Sequence, residues 1–195
     1  RGLGDVYKRQ VHAIPGKIEA EHYYNQKGIE LESTSDENGG LNIGSLDNGD
    51  YADYYVKIES GDLYNVTYRS AADPNWSSGG QVELSILDPT TGTYFSLQNV
   101  ILPTTGGWQT WESTSKALTL PEGEHQIRLK ILEGPFNLNW FSFDNNVSVG
   151  IPVPGYLEAE DYVYQSGISL EMTEDDGGGQ NIGYLDSADY ADYVI

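Results

Sequence analysis

The side chains best placed to do chemistry are two carboxylates, Glu19 and Glu21 in the run EAE, and the aromatic and amide groups of GGWQTW (residues 106–111) and FNLNWFSFD (residues 136–144). On a strand, residues two apart point to one face, so Glu19 and Glu21 would converge and their repulsion would need neutralising. A hard cation with oxygen ligands does this; two solvated surface acids are the alternative. Trp108 follows Thr104-Thr105-Gly106-Gly107 and is read as a loop residue, whereas Trp111 is read as a strand residue facing the core. In FNLNWFSFD a period of two puts Phe136, Leu138 and Trp140 on one face and Asn137 and Asn139 on the other.

The charge balance narrows what such groups could meet. Ten basic against 30 acidic residues give a net charge of −20, and Arg1, Lys8 and Arg9 of the basic set lie near the N-terminus. A phosphate-tracking protein needs a basic stripe, so nucleic acid, anionic membranes and polyanionic substrates are disfavoured. No segment reaches the roughly 18 apolar residues of a spanning helix. Zero cysteines exclude a disulfide scaffold and zinc-thiolate sites. No G-x-S-x-G, H-E-x-x-H, P-loop or G-x-G-x-x-G motif is present. His12, His22 and His125 show no spacing expected of a metal triad.

The elements that must hold these groups are short strands. HQIRLKIL alternates Ile127, Leu129 and Ile131 with Gln126, Arg128 and Lys130, and YNVTYRS, QVELSILD, YFSLQNVIL, WQTWEST and FNLNWFSFD behave likewise between DPNWSSGG, DPTTGT, PTTGG and PEGE turns. No long helical stripe occurs, so the fold is read as all-β, a β-sandwich jelly roll. Residues 14–56 also align without a gap on residues 153–195, with about 25 identities. An offset of 139 is a domain's length and not a solenoid's period, which implies tandem modules. The expected division is a leader at 1–13, a module at 14–144, a linker at 145–152, and a second, truncated module at 153–195.

EAE, GG-x-NIG-x-LD-x-GDY-x-x-Y, GGWQTW and FNLNWFSFD occur in one order over residues 14–144, and in that order the chain resembles carbohydrate-binding module family 6, with the second repeat resembling its start. The resemblance implies a structural calcium ion held by Glu19, Glu21 and Asp144 with a carbonyl from the Gly39–Asn42 loop. Glu158 and Glu160 repeat the acidic pair without a counterpart of Asp144. A sugar ring offers a C–H-rich face, so Trp108 is read as its stacking platform. The resemblance assigns hydroxyl-bonding roles to Asn137 and Glu32, and leaves Asn139 structural. The family usually carries Tyr or Trp after NIG; this repeat has Ser45, and the second has Tyr184. Trp76 either compensates for the missing ring or is an incidental exposed side chain. Tyr51 matches an aromatic position on the family's second, concave binding face, with cross-strand packing as the alternative.

The resulting expectation is a non-catalytic, extracellular, monomeric module within a larger chain. It would hold a secreted glycoside hydrolase near a neutral or weakly charged polysaccharide such as xylan, β-glucan or agar-type galactan. Rival readings are an adhesion or structural module that contacts protein, and a fragment of a catalytic jelly roll. Thirty acidic residues make close carboxylate pairs common by chance, so they are no argument for glycoside hydrolysis.

Overall fold

The alternation read in HQIRLKIL is the pattern the chain adopts. Ile127, Leu129 and Ile131 are each 1% exposed, while Gln126, Arg128 and Lys130 point outward. The computed structural model describes residues 10–37, 39–145, 156–174 and 179–193. Twelve strands build the first repeat: β1 (Val11–Ile14), β2 (Gly16–Glu19), β3 (Asn25–Lys27), β4 (Glu30–Ser33), β5 (Leu41–Leu46), β6 (Tyr51–Ile58), β7 (Asp62–Ala71), β8 (Gly80–Asp88), β9 (Thr93–Leu102), β10 (Glu112–Leu120), β11 (Gly123–Glu133) and β12 (Phe136–Asp144).

They form two six-stranded sheets, one ordered β1-β6-β11-β8-β9 with β3 on β6, the other β10-β7-β12-β5-β4 with β2 on β12. One cluster joins their inner faces, with Tyr54, Val56 and Leu84 from the first sheet against Tyr64, Tyr68, Phe136 and Phe141 from the second. The fold is therefore the expected β-sandwich, and no helix occurs among the described residues. Burying a large side chain such as these stabilises by roughly 1.5–3 kcal/mol.

Three expectations are corrected. Residues 11–13 belong to the sandwich and not to a leader: β1 pairs in parallel with β6, Val11 opposite Tyr55 and Ile14 opposite Ile58. The run WQTW is a turn, and its strand begins only at Glu112, although Trp111 is buried as expected. Trp140 leaves the core face, because the β12–β7 register shifts between Leu138 and Trp140. One extra residue reverses the alternation beyond it, so Phe141 and Phe143 turn inward and Trp140 outward. There Trp140 lies beneath the Lys17 ammonium, 5.7 Å from its ring centre.

The second repeat carries β13 (Tyr164–Ser166), β14 (Ser169–Met172), β15 (Gln180–Gly183) and β16 (Tyr190–Asp192), paired as β13-β16 and β14-β15. Of the expected linker only Asn145 is described; residues 146–152 lie outside the described residues.

Candidate functional site

At one loop edge of the sandwich, Trp108, Asn137, Glu32, Ser45 and Pro135 line a single cleft of about 280 Å³. Residues separated by more than 100 positions meet there because β12 is hydrogen-bonded to β5, which is hydrogen-bonded to β4. Trp108 sits on a turn closed by the Thr110 N–H donating to the Gly107 carbonyl at 3.1 Å. That turn is pinned twice more. Thr105 Oγ1 accepts from the Ala72 N–H at 2.9 Å, and Gln109 Oε1 accepts from the Ser35 N–H at 2.8 Å. Trp108 is half-buried, so part of the indole remains open.

Asn137 is only 3% exposed. Its amide nitrogen donates to Glu32 Oε2 at 3.0 Å and to the Trp108 carbonyl at 2.9 Å. With the N–H groups engaged, Oδ1 remains as the amide's acceptor for a hydroxyl. A Cβ on Gly44 would fall 2.8 Å from both Asn137 Oδ1 and the Glu32 carboxyl carbon, so only glycine leaves this floor open. Gln109, which the sequence reading passed over, ties the assembly together by donating from Nε2 to Asn42 Oδ1 at 3.2 Å. Its position beside Trp108 in GGWQTW was the available signal.

Ser45 is exposed and has a φ of 54°, in the left-handed region that a non-glycine residue seldom occupies. Its hydroxyl donates to Glu30 Oε2 at 3.3 Å, and it supplies no ring. Tyr184 has the same φ of 54° and is 78% exposed, but it belongs to the second repeat and does not enter this cleft. Asn139 is structural as expected: its amide donates to Asp36 Oδ2 at 2.8 Å. Arg69 donates to both oxygens of the same carboxylate, at 3.0 and 2.8 Å, and holds Asp36 down to about 2.

Tyr51 lies elsewhere, on the outer face of the first sheet, sharing that face with Asp53 as the alternation implied. The Arg128 guanidinium covers its ring at 3.8 Å and the Tyr94 ring at 4.1 Å, while two N–H groups of Arg128 donate to Asp53 at 2.7 and 2.9 Å. One face of Tyr51 is thus taken by an internal cation.

The acidic pair is assembled differently from the same-face expectation. β2 ends at Glu19, and a turn follows in which the His22 N–H donates to the Glu19 carbonyl at 3.0 Å. Glu21 still feels Glu19: burial first, and Glu19's charge among the smaller causes, push its carboxyl up, while backbone N–H groups of Glu21 and Leu41 pull it down. Glu21 Oε2 is buried without a partner, an arrangement that a bound cation would relieve. Glu19 is bonded by Lys17 at 2.6 Å. Asp144 does not join them. Glu19 lies opposite Trp140, and four further residues along β12 put Asp144 about 13 Å away at roughly 3.3 Å per residue. Among the described residues no group of three or more His, Cys, Asp or Glu side chains is placed to hold a metal.

Comparisons with known proteins bear on this geometry. Residues 19–145 match the model of the carbohydrate binding module (family 6). The chain is 30% identical over 171 residues to the clotting factor G alpha subunit of Tachypleus tridentatus, covering 85% of this chain and 24% of that protein. It is 30% identical over 182 residues to endo-1,4-beta-xylanase A of Thermoclostridium stercorarium, covering 87% of this chain and 33% of that protein. The chain therefore spans between a quarter and a third of these relatives. A family 6 module of Cellvibrio mixtus lichenase 5A, solved with cellotriose, superposes with a TM-score of 0.59 at 32% identity, over 68% of this chain and 98% of that one. With the family model matched over residues 19–145 and the same fold in a solved relative, the chain belongs to carbohydrate-binding module family 6.

Proposed function

We propose that residues 11–144 bind a neutral β-linked polysaccharide at the loop-edge cleft, with one sugar ring stacked on Trp108 and its hydroxyls bonded by Asn137 Oδ1 and Glu32. The observation that carries this reading is the meeting of Trp108, Asn137 and Glu32 in one cleft. Glu32 is already aligned by Asn137, so the acceptors are fixed before a ligand arrives and little ordering cost remains. The −20 net charge favours an uncharged glycan. Cellotriose on a solved relative and xylanase activity in a curated one point to β-glucan and xylan as first probes. Stacking on a single ring with a few hydrogen bonds gives affinities on the order of micromolar to millimolar.

The site serves to keep an attached, secreted hydrolase at its substrate, and a tandem second module would raise avidity where both engage one chain. The xylanase relative supports that setting. Affinity electrophoresis tests the binding: retardation in gels containing β-glucan or xylan is expected. Unchanged mobility with every neutral glycan would overturn the reading in favour of a protein-contact module.

Calcium would be held by the Glu19 and Glu21 carboxylates, joining the turn after β2 to the Leu41 loop; Asp144 drops out of the expected ligand set. A metal bound only by the folded state stabilises it by mass action. Chelation should therefore lower the melting temperature, and Glu21→Gln should abolish that response. An identical melting curve with and without chelator would remove the metal.

A further inference from the structure

The cleft has one aromatic wall where Ser45 leaves out a second, yet a bare indole stands close by. Trp76 is 76% exposed, more than any other large hydrophobic side chain described in the first repeat. An exposed tryptophan on a loose loop would need no explanation, but this loop is fastened. The Trp76 and Ser77 N–H groups both donate to the Asp73 carbonyl, at 3.0 and 2.9 Å, and Asp73 Oδ1 accepts from the Asn75 N–H at 2.9 Å. Ser77 Oγ then donates to the carbonyl of Pro135 at 2.6 Å. Pro135 is itself a wall of the cleft. At its other end the loop is tied to the root of the Trp108 turn, since Ala72 and Thr105 exchange backbone and hydroxyl bonds at 2.9 Å.

The Trp76 turn is therefore clamped between the two segments that carry Trp108 and Pro135. The Trp76 Cα lies about 3.8 Å from that of Ser77, whose hydroxyl is bonded to the carbonyl of the cleft residue Pro135. We infer that Trp76 is a second stacking platform, which extends the cleft past Pro135 so that it grips a further sugar unit of the same chain. This rests on the cleft reading above and adds a length requirement to it. The backbone bonds fix in advance the turn that carries the ring, so its stacking is gained with little loss of loop freedom. Binding should then favour oligosaccharides long enough to reach from Trp108 to Trp76.

Isothermal titration with cello- and xylo-oligosaccharides of two to six units tests this. Trp76→Ala should weaken the longest ligands several-fold to about tenfold and leave the shortest unchanged, as loss of one aromatic contact implies. Trp108→Ala should weaken every length. Ser77→Ala, which frees the loop from Pro135, should reproduce part of the length-selective loss. A Trp76→Ala profile equal to wild type at all lengths, or lowered equally at all lengths, would overturn the extension. A Trp108→Ala protein that binds every length as wild type does would overturn the cleft reading, and the extension with it.

Discussion

The two repeats share their local structure and differ in what buries it. β13 pairs with β16 in the register of β3 with β6, Tyr164 opposite Asp192 as Asn25 is opposite Asp53. β14 and β15 reproduce β4 and β5, with Leu170 opposite Ile182 as Leu31 is opposite Ile43. Gln165 Oε1 accepts from the Ile168 N–H at 3.0 Å, as Gln26 does from Ile29 at 3.1 Å. Tyr193 donates to the Ala159 carbonyl at 2.6 Å, as Tyr54 does to Ala20 at 2.6 Å. Yet Leu46 is fully buried and its counterpart Leu185 is 56% exposed. Tyr162, Ile168 and Leu170 instead cover Ile101 on β9, and the Lys116 ammonium lies 3.6 Å over the Tyr162 ring. Turn chemistry and hairpin register are thus written into about 40 residues, whereas the core is a property of the strands that close over them.

The largest effect expected from breaking this contrast is on stability. Ile43→Ala, in the closed core, should cost about 2–5 kcal/mol in denaturant unfolding. Ile182→Ala, at the matching place in the second repeat, should leave the unfolding of the sandwich unchanged. Equal losses would mean that both repeats share one core. Next comes Ser45→Tyr, which gives the first cleft the ring that Tyr184 presents from the same φ of 54°. A gain of about 0.5–1.5 kcal/mol, several-fold to tenfold in affinity, is expected by titration calorimetry. No gain would show that this wall does not face the ligand.

The smallest effect is electrostatic. Burial lowers Lys116 to about 8, below the roughly 10.4 of a free lysine. The undocked state then binds more protons between these values, so docking of the second repeat over Lys116 strengthens as pH rises through 8 and reaches its full strength above about 10.4, the desolvation of the charge outweighing the ammonium–ring attraction that deprotonation removes. An NMR titration of the Lys116 ammonium should show a midpoint near 8. A midpoint at the ordinary lysine value would mean that Tyr162 does not cover it.

Most of the sandwich was legible because runs such as Tyr64–Ser70 in β7 and Ile127–Ile131 in β11 alternate between turn signals. The cleft residues were legible because their motifs recur in one order, and Trp108, Asn137, Glu32 and Ser45 do meet. What escaped depends on register. The shift at Leu138–Trp140, which turns Trp140 outward, is marked in the sequence only by the adjacent Trp140 and Phe141, which do not say which ring leaves the core. The same register carries Asp144 away from Glu19, a separation that motif order cannot reveal. Residues 11–13 were passed over because a four-residue parallel pairing has too little period to read. The cover over Tyr51 is a long-range contact from β11, invisible in the GDY motif itself.

Titration calorimetry of one long β-glucan oligosaccharide against wild type, Trp108→Ala and Tyr51→Ala tests the central claim most directly, because these rings lie on different surfaces of the same sandwich. Binding should be clearly weakened by Trp108→Ala and unchanged with Tyr51→Ala. Binding that survives loss of the indole and disappears with Tyr51 would place the sugar on the outer sheet face and contradict the loop-edge site.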